Sequence, residues 1–305
     1  MKRILLIVLL PLCARAERSA REAVAASLPF LKGAGESWIA DKKCVSCHHT
    51  GMLIWSAREA QAKGFELAVS DLADWSDWAF VHQRSDHEKG GKTGARNLEG
   101  LGQLMLGRAP EDDVADFRQL MVAGQQADGS WSPNGQLPLQ KRSKEETTVA
   151  STAWIWLALQ DENHPDSQAS RDKAMDWLQE APPGKSTEVF AQRLLMADAL
   201  KAGVAEAREA LLNRQHEDGG WPWVEEDASD ALGTGLALYA LKRSGTKGDS
   251  LTRAQAFLLR TQEENGSWKV HSTKAKKRTS VEPTAIFWGT AWALLALLED
   301  APQEE

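Results

Sequence analysis

The sequence predicts an all-α protein assembled from stacked helical hairpins, and three observations carry that prediction. A seven-residue phrase, Gln-x-x-Asp/Asn-Gly-x-Trp, occurs three times, at Gln125 to Trp131, Gln215 to Trp221 and Gln262 to Trp268. The three tryptophans lie 90 and 47 residues apart, which is two periods and then one period of about 46. Thirteen tryptophans stand against a single tyrosine, an odd aromatic balance unless tryptophan is part of a repeat. Self-similarity at this period marks units that cannot bury an apolar face alone and gain a core only by stacking.

Each unit has the same internal order. An apolar pattern of helical spacing precedes each phrase, as in Ala254, Phe257 and Leu258, and the chain then stops at a glycine preceded by Asp or Asn. A second signature follows, Ser151-Thr152-Ala153, Gly233-Thr234-Gly235 or Gly289-Thr290-Ala291, and each opens a helix rich in small and apolar residues. The unit is therefore a helix, a Gly-Trp turn, a loop of variable length and a second helix. Six units fit, at about 18–64, 65–108, 111–162, 166–203, 204–245 and 249–300. Helix breakers Gly64, Pro110, Pro165, Gly203 and Gly248 fall at the joints. Units two and four lack the Gly-Trp turn, and Gly35-Glu36-Ser37-Trp38 reads as a weaker copy in unit one.

These phrases resemble the QW motifs of squalene-hopene cyclases and other terpene cyclases, and protein prenyltransferase β subunits are built on a related barrel. The resemblance covers nearly the whole chain after its first residues. It implies an (α/α)6 toroid, six inner helices around a cavity and six outer helices around those, with residues 17–305 as one domain. It also implies that Gln125, Trp131, Gln215, Trp221, Gln262 and Trp268 brace neighbouring repeats. The Asp-x-Asp-Asp motif with which those cyclases protonate substrate is absent; Glu225 to Asp230 is the nearest approach and its spacing differs. Terpene cyclisation is therefore not expected. Trp154, Trp156, Tyr239, Phe287, Trp288 and Trp292 fall on expected inner helices, where they either pack between layers or line a cavity for an apolar small molecule.

The N-terminus reads as a secretory signal over residues 1–16, with basic Lys2 and Arg3, an apolar run from Ile4 to Leu12 and the small-x-small site Ala14-Arg15-Ala16. The run is about half of the roughly twenty residues that span a bilayer. Lipid modification of Cys13 is disfavoured by Pro11 and Leu12 just before it. Loss of Lys2, Arg3 and Arg15 takes the basic residues from 36 to 33 against 43 acidic ones, a net charge near −10. That balance argues against nucleic acid and anionic membrane surfaces as partners. No later segment is apolar enough to be a transmembrane segment. The expected location is periplasmic or secreted.

Two cysteines then remain, in Cys44-Val45-Ser46-Cys47-His48. Cys-x-x-Cys-His is the attachment sequence of c-type haem, and export matters because this haem is attached outside the cytoplasm. Sulfurs one helical turn apart can both form thioethers with the haem vinyl groups, while His48 becomes an axial ligand of the iron. Two alternatives stay open: a local Cys44–Cys47 disulfide, and zinc held by Cys44, Cys47, His48 and His49. The zinc alternative draws on the prenyltransferase resemblance, since that barrel binds a catalytic zinc.

The motif falls in the loop entering the first inner helix, a layer that carries acids in other units: Glu145 and Glu146, Asp227 and Asp230, and Glu282. A protein ligand on the far side of the iron is expected from His82 or His87, in a polar, glycine-bearing stretch from His82 to Gly94 that could fold over the rim. Met105 and Met121 are expected in the core. The basic stretch Lys274 to Arg278 reads as a solvated loop or as a docking site for an acidic redox partner. The functional expectation is an exported monohaem protein that transfers electrons or senses a haem ligand. The rival is a haem-dependent oxidoreductase acting on an apolar substrate in the cavity.

Overall fold

The computed structural model describes residues 18–43, 45, 49–88, 98–110, 112–134, 140–160, 164–277 and 279–299. Cys44, Cys47, His48 and the expected signal over residues 1–16 lie outside them. Twelve α-helices are described: α1 (Ala20–Lys42), α2 (Thr50–Ala62), α3 (Val69–Glu88), α4 (Leu98–Leu106), α5 (Ala115–Ala123), α6 (Lys144–Ala158), α7 (Pro165–Glu180), α8 (Thr187–Leu200), α9 (Val204–Leu212), α10 (Ala231–Arg243), α11 (Asp249–Thr261) and α12 (Pro283–Leu298). They form the six hairpins expected from the repeat, and no strand longer than an isolated bridge occurs among the described residues. The breaker residues sit at the joints: Gly64, Gly203 and Gly248 adopt φ of 78°, 70° and 125°, and Pro165 opens α7.

The even-numbered helices make a closed ring. Each packs on the next, α2 on α4, α4 on α6, α6 on α8, α8 on α10, α10 on α12, and α12 returns to α2. Each outer helix docks on the inner helix of the preceding hairpin, α3 on α2, α5 on α4, α7 on α6, α9 on α8, α11 on α10, and α1 on α12. No unit is therefore stable in isolation, because its outer helix finds its apolar partner in a neighbour. Inner helices are buried on every side, as in α12, where Phe287, Trp288 and all residues from Gly289 to Leu298 are buried. Met105 and Met121 lie in this core, fully buried.

The three Gln-Trp phrases make one and the same clamp. Nε1 of Trp131, Trp221 and Trp268 donates to the carbonyl of Met121, Leu211 and Leu258, the end of its own outer helix, at 2.7, 2.9 and 2.8 Å. Their backbone N–H groups donate to the hydroxyls of Thr152, Thr234 and Thr290 on the following inner helix, which explains the second sequence signature. Nε2 of Gln125 and Gln215 donates to Ser170 and Ser250 carbonyls in the next unit's outer helix, each at 2.8 Å. Gln262 does the same across the closure of the ring, donating to Ala23 of α1 at 2.8 Å. The glycine of each phrase has positive φ, and a Cβ on Gly219 would stand 2.7 Å from the Arg253 carbonyl oxygen of the next helix. Glycine is required there for both reasons.

The weaker copy in unit one is not such a turn. Gly35 and Trp38 lie inside α1, because no Asp-Gly step at positive φ interrupts the helix. The stretch beginning at His82 is also more regular than its composition suggests, since α3 continues to Glu88. His82 stacks on Trp78, with ring centroids 4.7 Å apart.

Because Trp221 is fully buried and carries two of the clamp's bonds, Trp221→Ala should cost about 3–5 kcal/mol in urea unfolding. A loss below 1 kcal/mol would show that the repeats do not depend on the clamp.

Candidate functional site

The connections from each outer to each inner helix gather at one end of the ring. Isolated bridges tie them together, Gln140 with Lys274 and Ser186 with Val224 among them. The inner-helix N-termini open on this rim; the Cys-x-x-Cys-His sequence falls between α1 and α2 and, apart from Val45, lies outside the described residues. Val45 in that segment is buried, and so is His49, the residue before α2. The His49 ring stacks on Trp38 at 3.9 Å and on Phe287 of α12 at 4.5 Å. This sandwich anchors the end of the motif to both layers.

Among the acids read from the sequence, Glu146, Asp227 and Glu282 tie connecting segments together, whereas Glu145 is exposed and Asp230 caps its own helix. Glu146 accepts hydrogen bonds from the backbone N–H groups of Lys185 and Ser186, at 2.9 and 2.6 Å. Burial opposes its ionisation, but these donors and the Arg142 charge hold its carboxyl below the usual value. Glu145 is exposed in the first turn of α6, and its carboxyl is lowered by its own backbone N–H and by Ser143. Asp227 pairs with Lys141, linking two rim loops. Asp230 caps α10 through the N–H of Gly233 at 2.8 Å, and burial pushes it up to about 7. Glu282 accepts from Ser272 and from Lys274 at 2.6 and 2.7 Å, and these partners outweigh burial to lower its pKa. Lys274 of the basic stretch is thus internally paired.

Two interior acids escaped the sequence reading. Glu99 is the second residue of α4 and Glu188 the second of α8, both buried. Arg142 donates to Glu188 Oε2 at 2.6 Å, with neither side chain exposed, and Trp154 Nε1 donates to Glu188 Oε1 at 2.8 Å. The Arg142 guanidinium lies 5.2 Å over the Trp223 ring. Glu99 meets the Ser151 hydroxyl of α6, while its Oε1 has no protein partner. Desolvation, then the charge of Glu188, raises the Glu99 carboxyl well above the ordinary 4.5, against the effect of Ser151 and Arg142. Both acids occur in units two and four, which lack the Gly-Trp landmark. Their shared second position on an inner helix was the available signal.

Beneath this polar layer the ring is plugged by aromatics. Trp154 of α6 and Trp292 of α12 stand on opposite sides of the ring, yet their centroids are 5.5 Å apart. Trp55 of α2 and Tyr239 of α10 pack on Trp292 at 5.4 and 5.5 Å. Trp154 joins the layers, since its ring lies on this floor and its N–H reaches Glu188. The sequence-level choice between packing and cavity lining resolves to packing for Trp154, Tyr239 and Trp292. Among the described residues no group of three or more His, Cys, Asp or Glu is gathered to hold a metal ion. His82 is on α3, and of His87 only its place in the last turn of that helix is described.

The fold defines the class: the chain is an (α/α)6 toroid. Solved structures similar to it include a possible member of the GH105 family from Salmonella enterica, at 12% identity over 98% of this chain and 99% of that one, with TM-score 0.57. A glycosyl hydrolase family 88 protein from Bacteroides vulgatus aligns at 12% identity over 93% and 99%, with TM-score 0.58. A type II terpene cyclase from Scytonema aligns at 15% identity over 92% and 99%, with TM-score 0.54. A curated relative, the drimenyl diphosphate synthase of Streptantibioticus cattleyicolor, is 36% identical over 73 residues, 24% of this chain and 14% of the synthase. No family model matches the chain. The fold is thus shared with hydrolases, lyases and a terpene cyclase.

The raised Glu99 gives a signed pH dependence. The folded state keeps a proton that the unfolded chain has released, so Glu99 lowers stability progressively as pH rises from about 4.5 through its raised folded value. Glu99→Gln cannot titrate, and its stability relative to wild type should therefore climb between about pH 4.5 and pH 8 in denaturant titrations. A difference that stays constant with pH would show that Glu99 is ionised in the fold.

Proposed function

We propose that this protein is exported and carries one covalent c-type haem, bound through Cys44 and Cys47 with His48 as axial ligand of the iron. The toroid is its scaffold, and the role is electron transfer to a redox partner or sensing of a haem ligand. One observation carries the reading: the attachment sequence stands complete in the connection that enters an inner helix at the rim. The donor set supports the reading. Two thiols and an imidazole in this order are the donor set that haem attachment uses. Val45 within the motif and His49 just after it are buried. A buried side chain, Gln103, has both amide atoms without a protein partner, and its backbone lies 3.6 Å from where a Gly51 Cβ would stand, three residues beyond His48.

When bound, haem supplies one-electron chemistry and an iron that can take a ligand. The chain's own residues hold and shield that site. His49, between Trp38 and Phe287, fixes the end of the motif, and the aromatic floor excludes water from the ring's far end. The outer helices run antiparallel to the inner ones, so the C-terminal end of α3, with His82 and His87, faces the same rim. These remain the proposed source of a distal ligand.

Glu99 favours a second reading, a haem-dependent oxidoreductase acting on an apolar substrate within the ring. A buried carboxyl that keeps its proton near neutral pH, with an unpartnered oxygen, can deliver or accept a proton there. The terpene cyclase likeness adds no cyclisation, since the Asp-x-Asp-Asp motif is absent.

Expressed in a host with c-type haem maturation, the protein should retain haem stain on a denaturing gel. Cys44→Ala with Cys47→Ala should abolish it. Stain that survives the double change, or wild type that never stains and holds stoichiometric zinc, overturns the proposal. Ferric spectra of His82→Ala and His87→Ala then decide the distal side: one of them should convert low-spin iron to high-spin and admit cyanide. A wild type already high-spin and open to cyanide would favour sensing or catalysis over electron transfer.

A further inference from the structure

Two of the outer-to-inner connections meet across the mouth of the ring. Gln140, just before α6, forms an isolated antiparallel bridge with Lys274 in the connection to α12. The Lys141 N–H donates to the Thr273 carbonyl at 2.9 Å beside it. The two inner helices that these connections enter, α6 and α12, stand on opposite sides of the ring. Residues 140–142 and 272–274 therefore form a strap over the mouth. Ion pairs between connections fasten it. Lys141, its side chain only 2% exposed, pairs with Asp227 in the connection to α10, and Lys274 donates to Glu282 at 2.7 Å.

Arg142 is where the strap touches the interior. Its Nη1 donates to Glu188 Oε2 at 2.6 Å, and its guanidinium lies over the Trp223 ring. Glu188 accepts from Trp154, and Glu99, close enough to feel the Glu188 charge, meets the Ser151 hydroxyl. Arg142 thus covers the layer that holds both interior acids. The closed strap leaves polar groups unsatisfied: Gln140 Oε1 and Arg142 Nε and Nη2 are buried without a partner, as is Glu99 Oε1 in the layer below. Such groups are costly while buried and gain water as soon as the cover lifts. A connection held by a few polar bonds, with unsatisfied groups beneath, opens at less cost than the helices around it.

We propose that this strap is a gate: it lifts while the ring stays folded and admits small polar molecules to the layer of Glu99 and Glu188. The gate does not depend on haem attachment. A thiol placed under the strap reads its opening, and Ser151→Cys supplies one of similar size. In the full chain that thiol should react with iodoacetamide about a hundredfold more slowly than a surface thiol from Lys201→Cys, yet faster than global unfolding allows. Mass spectrometry of the peptide locates the adduct. Lys141→Met, which removes the pair with Asp227, should speed the reaction about tenfold. Gln140→Cys with Lys274→Cys puts two thiols at a bridged position, where a Cα separation of about 4.5–5.5 Å suits a disulfide. Oxidised, this lock should slow labelling at position 151 by about tenfold or more, and reduction should restore it. If Ser151→Cys does not fold, Thr147→Cys, one turn nearer the mouth on the same face of α6, takes its place. Labelling that waits on global unfolding, followed by circular dichroism, overturns the proposal. So does labelling that neither Lys141→Met nor the lock alters.

Discussion

The Gln-Trp clamp is the constraint on which the rest of this structure depends. In three of the six hairpins a buried indole N–H ends one outer helix, the indole's backbone N–H meets a threonine on the next inner helix, and a glutamine amide reaches into the following unit. Every one of these groups would be a buried polar liability if left unpaired. Paired, they tie successive hairpins to one another. Because Gln262 makes the same bond to Ala23 at the other end of the chain, the device that stacks the repeats also closes the ring. Closure brings residues 239 positions apart into one hydrogen bond.

A closed ring of parallel inner helices has two consequences for chemistry. All its helix N-termini share a rim, where acids are electrostatically favoured, and Glu146, Asp230 and Glu282 occupy that layer. Side chains from opposite helices also meet on the axis, as Trp154 and Trp292 do. The interior is thus layered, with ionisable groups near the rim and an aromatic plug below. Arg142 and Glu188 are tolerable in that layer because they are paired with each other, while burial, and then the charge of Glu188, pushes the Glu99 carboxyl up to about 7.

The regular part of this arrangement was legible in the chain. The phrase spacing located the hairpins, the threonine signature located the inner helices, and Gly and Pro marked the joints. Trp38 was misread as a clamp because Gly35 precedes it, but a glycine without a turn-forming Asp or Asn before it stays helical. His82 to Glu88 was read as loop from its polarity, although an outer helix needs only one apolar stripe, here carrying Trp75, Ala79 and Phe80. Glu99 and Glu188 were overlooked because they lie in units without the landmark that sets the register.

The sequence by itself determined the repeat, the hairpin order and the place of the Cys-x-x-Cys-His segment before the second helix, because each is written in residues close together along the chain. Tertiary structure decided everything that depends on crossing the ring. It showed that the inner tryptophans plug the axis, that Lys274 is paired with Glu282, and that Glu188 rather than a rim acid holds Arg142. The physical reason is that burial and pairing are properties of neighbours in space, and in a closed ring those neighbours come from helices as far apart in sequence as α1 and α12.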